Sequence, residues 1–117
     1  MHDGNVSGQR FFLVGIGGSG MMPLAMILQG RGAIVAGSDR GLDQGRVPAK
    51  FDGLRALGVE LFAQDGSGVT SPEQIVVASA AVEDTVADIV AATRLGCRRL
   101  SRAELNAALF NAAAQPI

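Results

Sequence analysis

The sequence predicts a three-layer α/β domain with a mainly parallel sheet of about five strands. Short apolar runs rich in branched residues alternate along the chain with segments of helical period. This alternation is typical of a parallel sheet covered by helices. A cluster of glycines separates the first apolar run from the first helical segment. The fourth run, Ile75 to Ala78, is continuously apolar, as expected of a strand that is covered on both faces.

Size and composition fit one compact domain. The 117 residues allow a single buried core. Hydrophobic residues at 48%, charged residues at 18% and a net charge of -1 argue against a disordered or membrane-bound chain. Acids are interspersed among the arginines, so no basic stripe indicates nucleic acid as a partner. The single cysteine, Cys97, excludes an internal disulfide, and the start has no secretory pattern, so we expect a cytoplasmic location.

The strands are predicted as short runs of apolar and branched residues bounded by glycine or polar turns. Residues 1–9, which are polar and include the only histidine, His2, are expected to form a flexible leader before them. The domain proper is expected over residues 10–117. In chain order, the strands are predicted at Phe11 to Val14, Ala33 to Ala36, Val59 to Phe62, Ile75 to Ala78 and Arg98 to Leu100.

The helices are predicted between these strands from apolar residues that recur at helical spacing. Gly30, Gly58 and Gly96 are the expected ends of the first three helices. Ser101 and Glu104 have the spacing of a capping box and open the last helix. The apolar stripes, in chain order, are Met21, Leu24, Ile27 and Leu28; Phe51, Leu54 and Leu57; Val86, Ile89 and Val90; and Leu105, Ala108, Leu109 and Ala112.

A glycine loop carries the main chemical signal. The residues Gly15-Ile16-Gly17-Gly18-Ser19-Gly20 satisfy G-x-G-x-x-G between the first strand and the first helix. Glycines at this position let the backbone turn sharply and approach a pyrophosphate. Unpaired N–H groups and the positive end of the helix dipole then stabilise the negative charge. A tight turn without a ligand is the alternative, but the position of the loop favours phosphate binding.

Asp39 supplies the second signal, because it follows the second strand about twenty residues beyond the glycine loop. Dinucleotide-binding folds place there an acid that accepts hydrogen bonds from ribose hydroxyls. Loop and acid alone fit an NAD-binding or nucleotide-sensing module as well as a protein that binds another ribonucleoside diphosphate. Two further alternatives remain open. Asp39 could be a loop residue that caps the next turn, and the domain could be an interaction domain without a ligand.

The stretch from Phe12 to Met21 resembles the opening strand and loop of the UDP-N-acetylmuramate:L-alanine ligases, whose common form is F-V-G-I-G-G-x-G-M. The chain is therefore similar to the N-terminal UDP-binding domain of a Mur ligase. It resembles either the L-alanine-adding branch or the related branch that recycles a muramyl tripeptide. Further matches cover nearly the whole chain, in the order Gly37-Ser38-Asp39, Leu57-Gly58, Ala78-Ser79-Ala80, Glu83-Asp84 and Ser101-Arg102-Ala103-Glu104-Leu105.

The resemblance implies a Rossmann-like domain that holds UDP-N-acetylmuramic acid, or UDP, while a central domain binds ATP and magnesium and a C-terminal domain binds the amino acid. In this family ATP phosphorylates the muramyl carboxylate, and the incoming amine attacks the acyl phosphate. No cofactor, metal or catalytic residue is implied within this domain itself. The implied diphosphate contacts are Gly15, Gly17, Gly18, Ser19, Gly20, Met21, Ser79 and Ala80; the implied uridine contacts are Ser38 and Asp39; Arg102 is a possible substrate contact.

The sequence departs from the family pattern in two places. Ala63-Gln64-Asp65 replaces a histidine that these ligases commonly carry after the third strand, and Ala78-Ser79 replaces their double serine. Both changes favour a divergent or recycling-type member. The sequence also contains no G-x-x-x-x-G-K-[S/T] loop. The resemblance places that ATP-binding loop just beyond Ile117, so ligation by these residues alone is not expected.

Overall fold

A computed structural model of the chain describes residues 6–45, 48–79 and 82–114, with side chains up to Leu109. The strands are β1 (Arg10–Val14), β2 (Ile34–Ser38), β3 (Glu60–Phe62), β4 (Ile75–Ala78) and β5 (Arg98–Ser101). The helices are α1 (Met21–Gly30), α2 (Arg40–Asp43), α3 (Pro48–Ala56), α4 (Ala87–Leu95) and α5 (Arg102–Ala114).

The five strands form one parallel sheet in the order β3-β2-β1-β4-β5. The chain moves outward from β1 through β2 to β3 and then crosses to the other side of β1. The connections after β1 and after β4 therefore run in opposite directions, and a crevice opens between them at the carboxyl ends of the strands. The predicted α/β class with a parallel sheet is confirmed.

Two hydrophobic clusters cover the two faces of the sheet. Side chains of successive residues in β1 point to opposite faces, so Phe11 and Leu13 enter one cluster and Phe12 and Val14 the other. Right-handed crossovers account for α1 and α3 lying on one face and α4 on the other, and α5 returns to the first face. The helix residues in the first cluster are Met21, Leu24, Ala25, Leu28, Phe51, Leu54, Leu105 and Leu109, and those in the second are Ile89, Ala91 and Ala92.

Several local predictions differ from the structure. Val6, placed in the flexible leader, is only 1% exposed and belongs to the core. The amide of Gly8 donates to the carbonyl of Gly32 at 2.9 Å, so residues 6–9 pack onto the domain. Leu57 is 47% exposed because α3 ends at Ala56, before it. Val90 is 49% exposed because successive residues of a helix are rotated by about 100° around its axis, so Val90 points away from the core that buries Ile89.

The predicted capping box at the start of α5 is confirmed. The amide of Ser101 donates to Glu104 Oε1 at 2.8 Å, and the amide of Glu104 donates to Ser101 Oγ at 3.0 Å. The backbone amide of Ser101, followed by its hydroxyl group, holds the pKa of the Glu104 carboxyl below its ordinary value. The box fixes where α5 leaves β5, and therefore where Arg102, its first residue, lies.

A buried carboxyl group on α4 ties the end of β2 to the loop after β3. Asp88 is 0% exposed, and its Oδ2 accepts a hydrogen bond from Ser38 Oγ at 2.5 Å. Its Oδ1 accepts from the amide of Gly66 at 2.8 Å. Burial raises the pKa of Asp88, the two hydrogen bonds oppose this, and the charges of Asp65 and Asp43 add to the increase.

The variant Asp88→Asn should change how stability depends on pH. Because the folded-state pKa of Asp88 is raised, the stability it contributes is complete below its unfolded pKa, near 3.8, and is lost as the pH rises through the folded value. Asparagine is uncharged throughout, and can accept from Gly66 and donate to Ser38. We expect the free energy of unfolding of the wild type, minus that of the variant, to fall with rising pH in urea titrations followed by circular dichroism.

Asp84→Asn is the matched control, since Asp84 is exposed and pairs with Arg99 at the surface. The free energy of unfolding of the wild type, minus that of Asp84→Asn, should not fall with rising pH. The role given to Asp88 would be contradicted if the free energy of unfolding of the wild type, minus that of Asp88→Asn, rose with pH. It would also be contradicted if this difference changed with pH in the same way as the difference for Asp84→Asn.

Candidate functional site

The glycine loop, residues 15–20, is tied to the end of β2 by its own backbone. Gly15 has a φ of 77°, a left-handed conformation that favours glycine. The amides of Gly15 and Ile16 both donate to the carbonyl oxygen of Ser38, at 2.8 and 2.9 Å. The amide of Gly17 donates to Asp39 Oδ2 at 2.8 Å. Three consecutive amides of the loop therefore donate to the last residue of β2 and to the residue after it.

Asp39 both holds the loop and begins α2. Its Oδ1 accepts from the amide of Gly41 at 2.7 Å, which is an N-cap. The capping role that the sequence left open is therefore present. Each carboxylate oxygen offers about two acceptor sites, and these two bonds use one on each oxygen. The side chain also lines a crevice beside the loop, so the cap does not remove Asp39 from the candidate site.

Two amides of the loop, those of Ser19 and Gly20, have no acceptor among residues 6–45, 48–79 and 82–114. They directly precede the 10-residue helix α1, whose dipole places partial positive charge at this end. Ser19 is also exposed. The other predicted phosphate contacts between residues 15 and 21 already donate their amides within the chain, and they are Gly15, Gly17, Gly18 and Met21.

The guanidinium group of Arg102 lies against the same end of the loop. A Cβ atom placed on Gly20 would come within 2.6 Å of Arg102 Nη1, so a side chain at position 20 would displace the guanidinium. In the part of the chain that the structure describes, Arg102 forms no ion pair. A cation without a counter-ion beside two free amides is an arrangement suited to an anion.

A crevice of about 680 Å³ opens at the carboxyl ends of β1, β2 and β4. Gly15 and Gly18 of the loop border it on one side, and Asp39 borders it on another. Arg40, which also lines it, was not predicted, because it begins the four-residue helix α2, which is too short to show a period. The remaining lining residues are Val14, Gln64, Val82, Glu83, Thr85 and Val86.

A second crevice, of about 410 Å³, lies at the ends of β4 and β5. Ser79, Ser101 and Glu104 are among the residues that line it, and Val82 lines both crevices, which therefore adjoin. Ser79 thus lies at the end of β4, on the other side of β1 from β2, and its contact with the diphosphate stays a prediction. Ala80 lies outside the described residues.

The prediction for Ser38 needs correction. Its side chain is 0% exposed, and its hydroxyl group donates to Asp88 and receives a hydrogen bond of 3.4 Å from Gln64 Nε2. Its carbonyl oxygen holds the loop. Ser38 therefore supports the glycine loop through its carbonyl oxygen, and its buried side chain is not accessible to uridine. The signal that could have shown this is the buried acid, but Asp88 lies fifty positions away in the sequence.

Metal and membrane features are not found in the described ranges. No group of three or more His, Cys, Asp or Glu side chains there could hold a metal ion. None of the helices in those ranges is both long and apolar enough to cross a membrane.

Known proteins with similar sequences are ligases. The UDP-N-acetylmuramate–L-alanine ligase of Nitratidesulfovibrio vulgaris is 38% identical over 98 residues, which are 84% of this chain and 20% of that protein. The enzyme of the same name from Streptomyces coelicolor is 37% identical over 103 residues, which are 87% of this chain and 21% of that protein. The chain therefore spans about a fifth of the length of these relatives.

The fold is also that of a solved ligase structure. The crystal structure of UDP-N-acetylmuramate:L-alanyl-gamma-D-glutamyl-meso-diaminopimelate ligase from Neisseria meningitides superposes with a TM-score of 0.71 at 22% identity. The superposition covers 86% of this chain and 31% of that one. A sequence model described as "Mur ligase family, catalytic domain" matches residues 10–114. With nearly all of its length matched, and with the glycine loop and strand order in place, the chain belongs to the Mur ligase family.

Proposed function

We propose that this chain binds the uridine diphosphate part of UDP-N-acetylmuramic acid, or of its peptide derivative, for ATP-dependent ligation in peptidoglycan precursor synthesis. Within the described ranges, the amides of Ser19 and Gly20 have no acceptor and the guanidinium of Arg102 beside them forms no ion pair. This observation carries the proposal. The relatives supply the substrate class, because they are named as UDP-N-acetylmuramate ligases.

The diphosphate is placed at the start of α1. Its oxygens can accept from the amides of Ser19 and Gly20 and from the Ser19 hydroxyl group, while Arg102 supplies a full positive charge. Arginine suits this position because its planar guanidinium can donate two parallel hydrogen bonds to a phosphate group.

The uridine is placed in the crevice at the end of β2, next to Asp39. A carboxylate that already accepts two amides still has acceptor sites for ribose hydroxyl groups. Arg40 and Gln64 line the same crevice and can meet polar atoms of the base. The NAD-binding alternative uses this same pair of loop and acid, so only a comparison of ligands separates the two.

The sugar and its muramyl group are placed in the second crevice, at the ends of β4 and β5, where Ser79 and Ser101 offer hydroxyl groups. Nucleoside, diphosphate and sugar would then follow the strand order β2, β1, β4 across one edge of the sheet. The proposal gives ATP, magnesium and the amino acid to the other domains of such a ligase. It includes a cytoplasmic location and no nucleic-acid or membrane partner.

Uridine nucleotides should stabilise this chain more than NADH does. A ligand at about a hundred times its Kd stabilises the folded state by ~2.7 kcal/mol, which is worth several degrees in the thermal midpoint of a domain of this size. We expect UDP and UDP-N-acetylmuramic acid to raise the midpoint in scanning calorimetry, and NADH at equal concentration to raise it much less.

Gly20→Ala and Gly30→Ala form a matched pair for this measurement. A methyl group at position 20 would push against the Arg102 guanidinium, whereas one at position 30 would meet nothing within 4 Å. The first variant should lose up to about half of the stabilisation by UDP, the share that a tenfold loss of affinity removes at this concentration, and the second should keep it. Stabilisation by NADH and not by uridine nucleotides would overturn the proposal in favour of an NAD-binding module.

Arg102→Met should weaken UDP by about tenfold, because a hydrogen bond to a charged group contributes roughly 1.5 kcal/mol. Isothermal titration calorimetry at two salt concentrations measures this, and the variant should show the shallower dependence of affinity on salt. Arg94→Met, which removes an exposed arginine from α4, is the charge-matched control and should bind like the wild type. Equal losses in both variants would mean that only net charge matters.

The chain by itself should not turn over ATP. Its sequence holds no lysine-containing phosphate loop that could cradle the transferred phosphate. With UDP-N-acetylmuramic acid, L-alanine, magnesium and ATP present, we expect no formation of ADP above the background of a buffer blank. ADP formation that co-purifies with the chain, and that disappears in Gly20→Asp, would reveal catalytic residues that we have not identified.

A further inference from the structure

Lys50, the only lysine of the chain, reaches from α3 to the glycine loop. Its Nζ donates to the carbonyl oxygen of Gly17 at 2.9 Å. The amide of the same residue donates to Asp39 at 2.8 Å. The two backbone polar groups of Gly17 are therefore held by side chains of opposite charge, one from α3 and one from the end of β2.

Lys50 also fixes the orientation of the next peptide unit. The carbonyl of Gly17 and the amide of Gly18 belong to one planar trans peptide and point in opposite directions. While the carbonyl oxygen faces Lys50, the amide of Gly18 faces the carbonyl oxygen of Gly15, to which it donates at 3.0 Å. A rotation of this peptide would break both hydrogen bonds and would point the carbonyl oxygen of Gly17 at the carbonyl oxygen of Gly15.

The packing around Gly17 supports the same role for α3. A Cβ atom placed on Gly17 would lie 2.9 Å from Phe51 Cε1, so the loop rests directly on the Phe51 ring. Phe51 is buried in the first hydrophobic cluster, and Lys50 Nζ lies 5.4 Å from the centre of its ring. Lys50 is half-buried.

We propose that Lys50 is a positioning residue for the anion site. By holding the Gly17 carbonyl, and through it the Gly18 amide, in these hydrogen bonds, it keeps the loop in the conformation that leaves the amides of Ser19 and Gly20 available to a diphosphate. The proposal rests on the proposed function only for the identity of the anion. The ammonium group acts through the Gly17 peptide and not through contact with phosphate.

Lys50→Met tests this against Arg55→Met, which removes a positive charge from the same helix at a site exposed to solvent. Titration calorimetry with inorganic pyrophosphate and with UDP should show about tenfold weaker binding of both by Lys50→Met, and unchanged binding by Arg55→Met. Lys50→Arg, which can still donate to the carbonyl, should recover most of the loss.

Two readouts separate positioning from direct charge attraction. Without any ligand, the carbonyl carbon of Gly17 and the amide of Gly18 should change their NMR chemical shifts in Lys50→Met and not in Arg55→Met. The ratio of wild-type to Lys50→Met affinity for pyrophosphate should persist in about 1 M sodium chloride, where the Debye length is about 3 Å.

A ratio that falls to one in high salt, or Gly17 and Gly18 signals that do not move in Lys50→Met, would overturn the positioning role. Failure of the proposed function is recognised differently. If the wild-type chain bound pyrophosphate but not UDP, the proposed nucleotide ligand would be wrong. The NMR shifts of Gly17 and Gly18, and the ratio of wild-type to Lys50→Met affinity for pyrophosphate, would still decide the role of Lys50.

Discussion

The carbonyl oxygen of Ser38 accepts hydrogen bonds from two successive amides of the glycine loop, and the candidate site depends on this junction. A chain that leaves a buried parallel strand must find partners for its backbone groups. Here the end of β2 provides them for Gly15 and Ile16, and Asp39 provides the next for Gly17. The amides of the loop are thereby hydrogen-bonded up to Gly18, and those left over in the described structure are at the start of α1. The backbone positions that can take a ligand are the ones that the fold has not already used.

The junction is supported from the opposite face of the sheet. Asp88 of α4 holds the Ser38 hydroxyl group and, with its other oxygen, the amide of Gly66. The parallel sheet brings the carboxyl ends of its strands to one edge, so Asp39, the glycine loop and Ser79 share that edge in strand order. Arg102 joins them because the capping box starts α5 beside the start of α1.

The sequence predicted features that are encoded over a few neighbouring residues. These are the strands, the longer helices, the loop between β1 and α1, and the capping box of Ser101 and Glu104. The short helix α2 was not predicted, because four residues are too few to show a helical period. Its N-cap was open to prediction, because an aspartate two residues before a glycine is typical of a cap, as at Asp39 and Gly41. Contacts between distant residues were out of reach of spacing arguments. The buried pairing of Ser38 with Asp88 and the bond from Lys50 to Gly17 depend on how helices dock on the sheet.

An acid beside an anion site requires an electrostatic explanation. The negative charge of Asp39 would oppose a diphosphate, but two backbone amides solvate it, and Lys50 lies at the other end of the same Gly17 residue. Arg102, whose guanidinium lies against Gly20, supplies the positive charge beside the free amides. Asp39 and Lys50 also hold the amide and the carbonyl group of Gly17 before any ligand binds. The entropy of ordering the backbone at Gly17 is therefore lost during folding and not during binding. Because binding does not carry this cost, the affinity that the remaining amides can provide is higher.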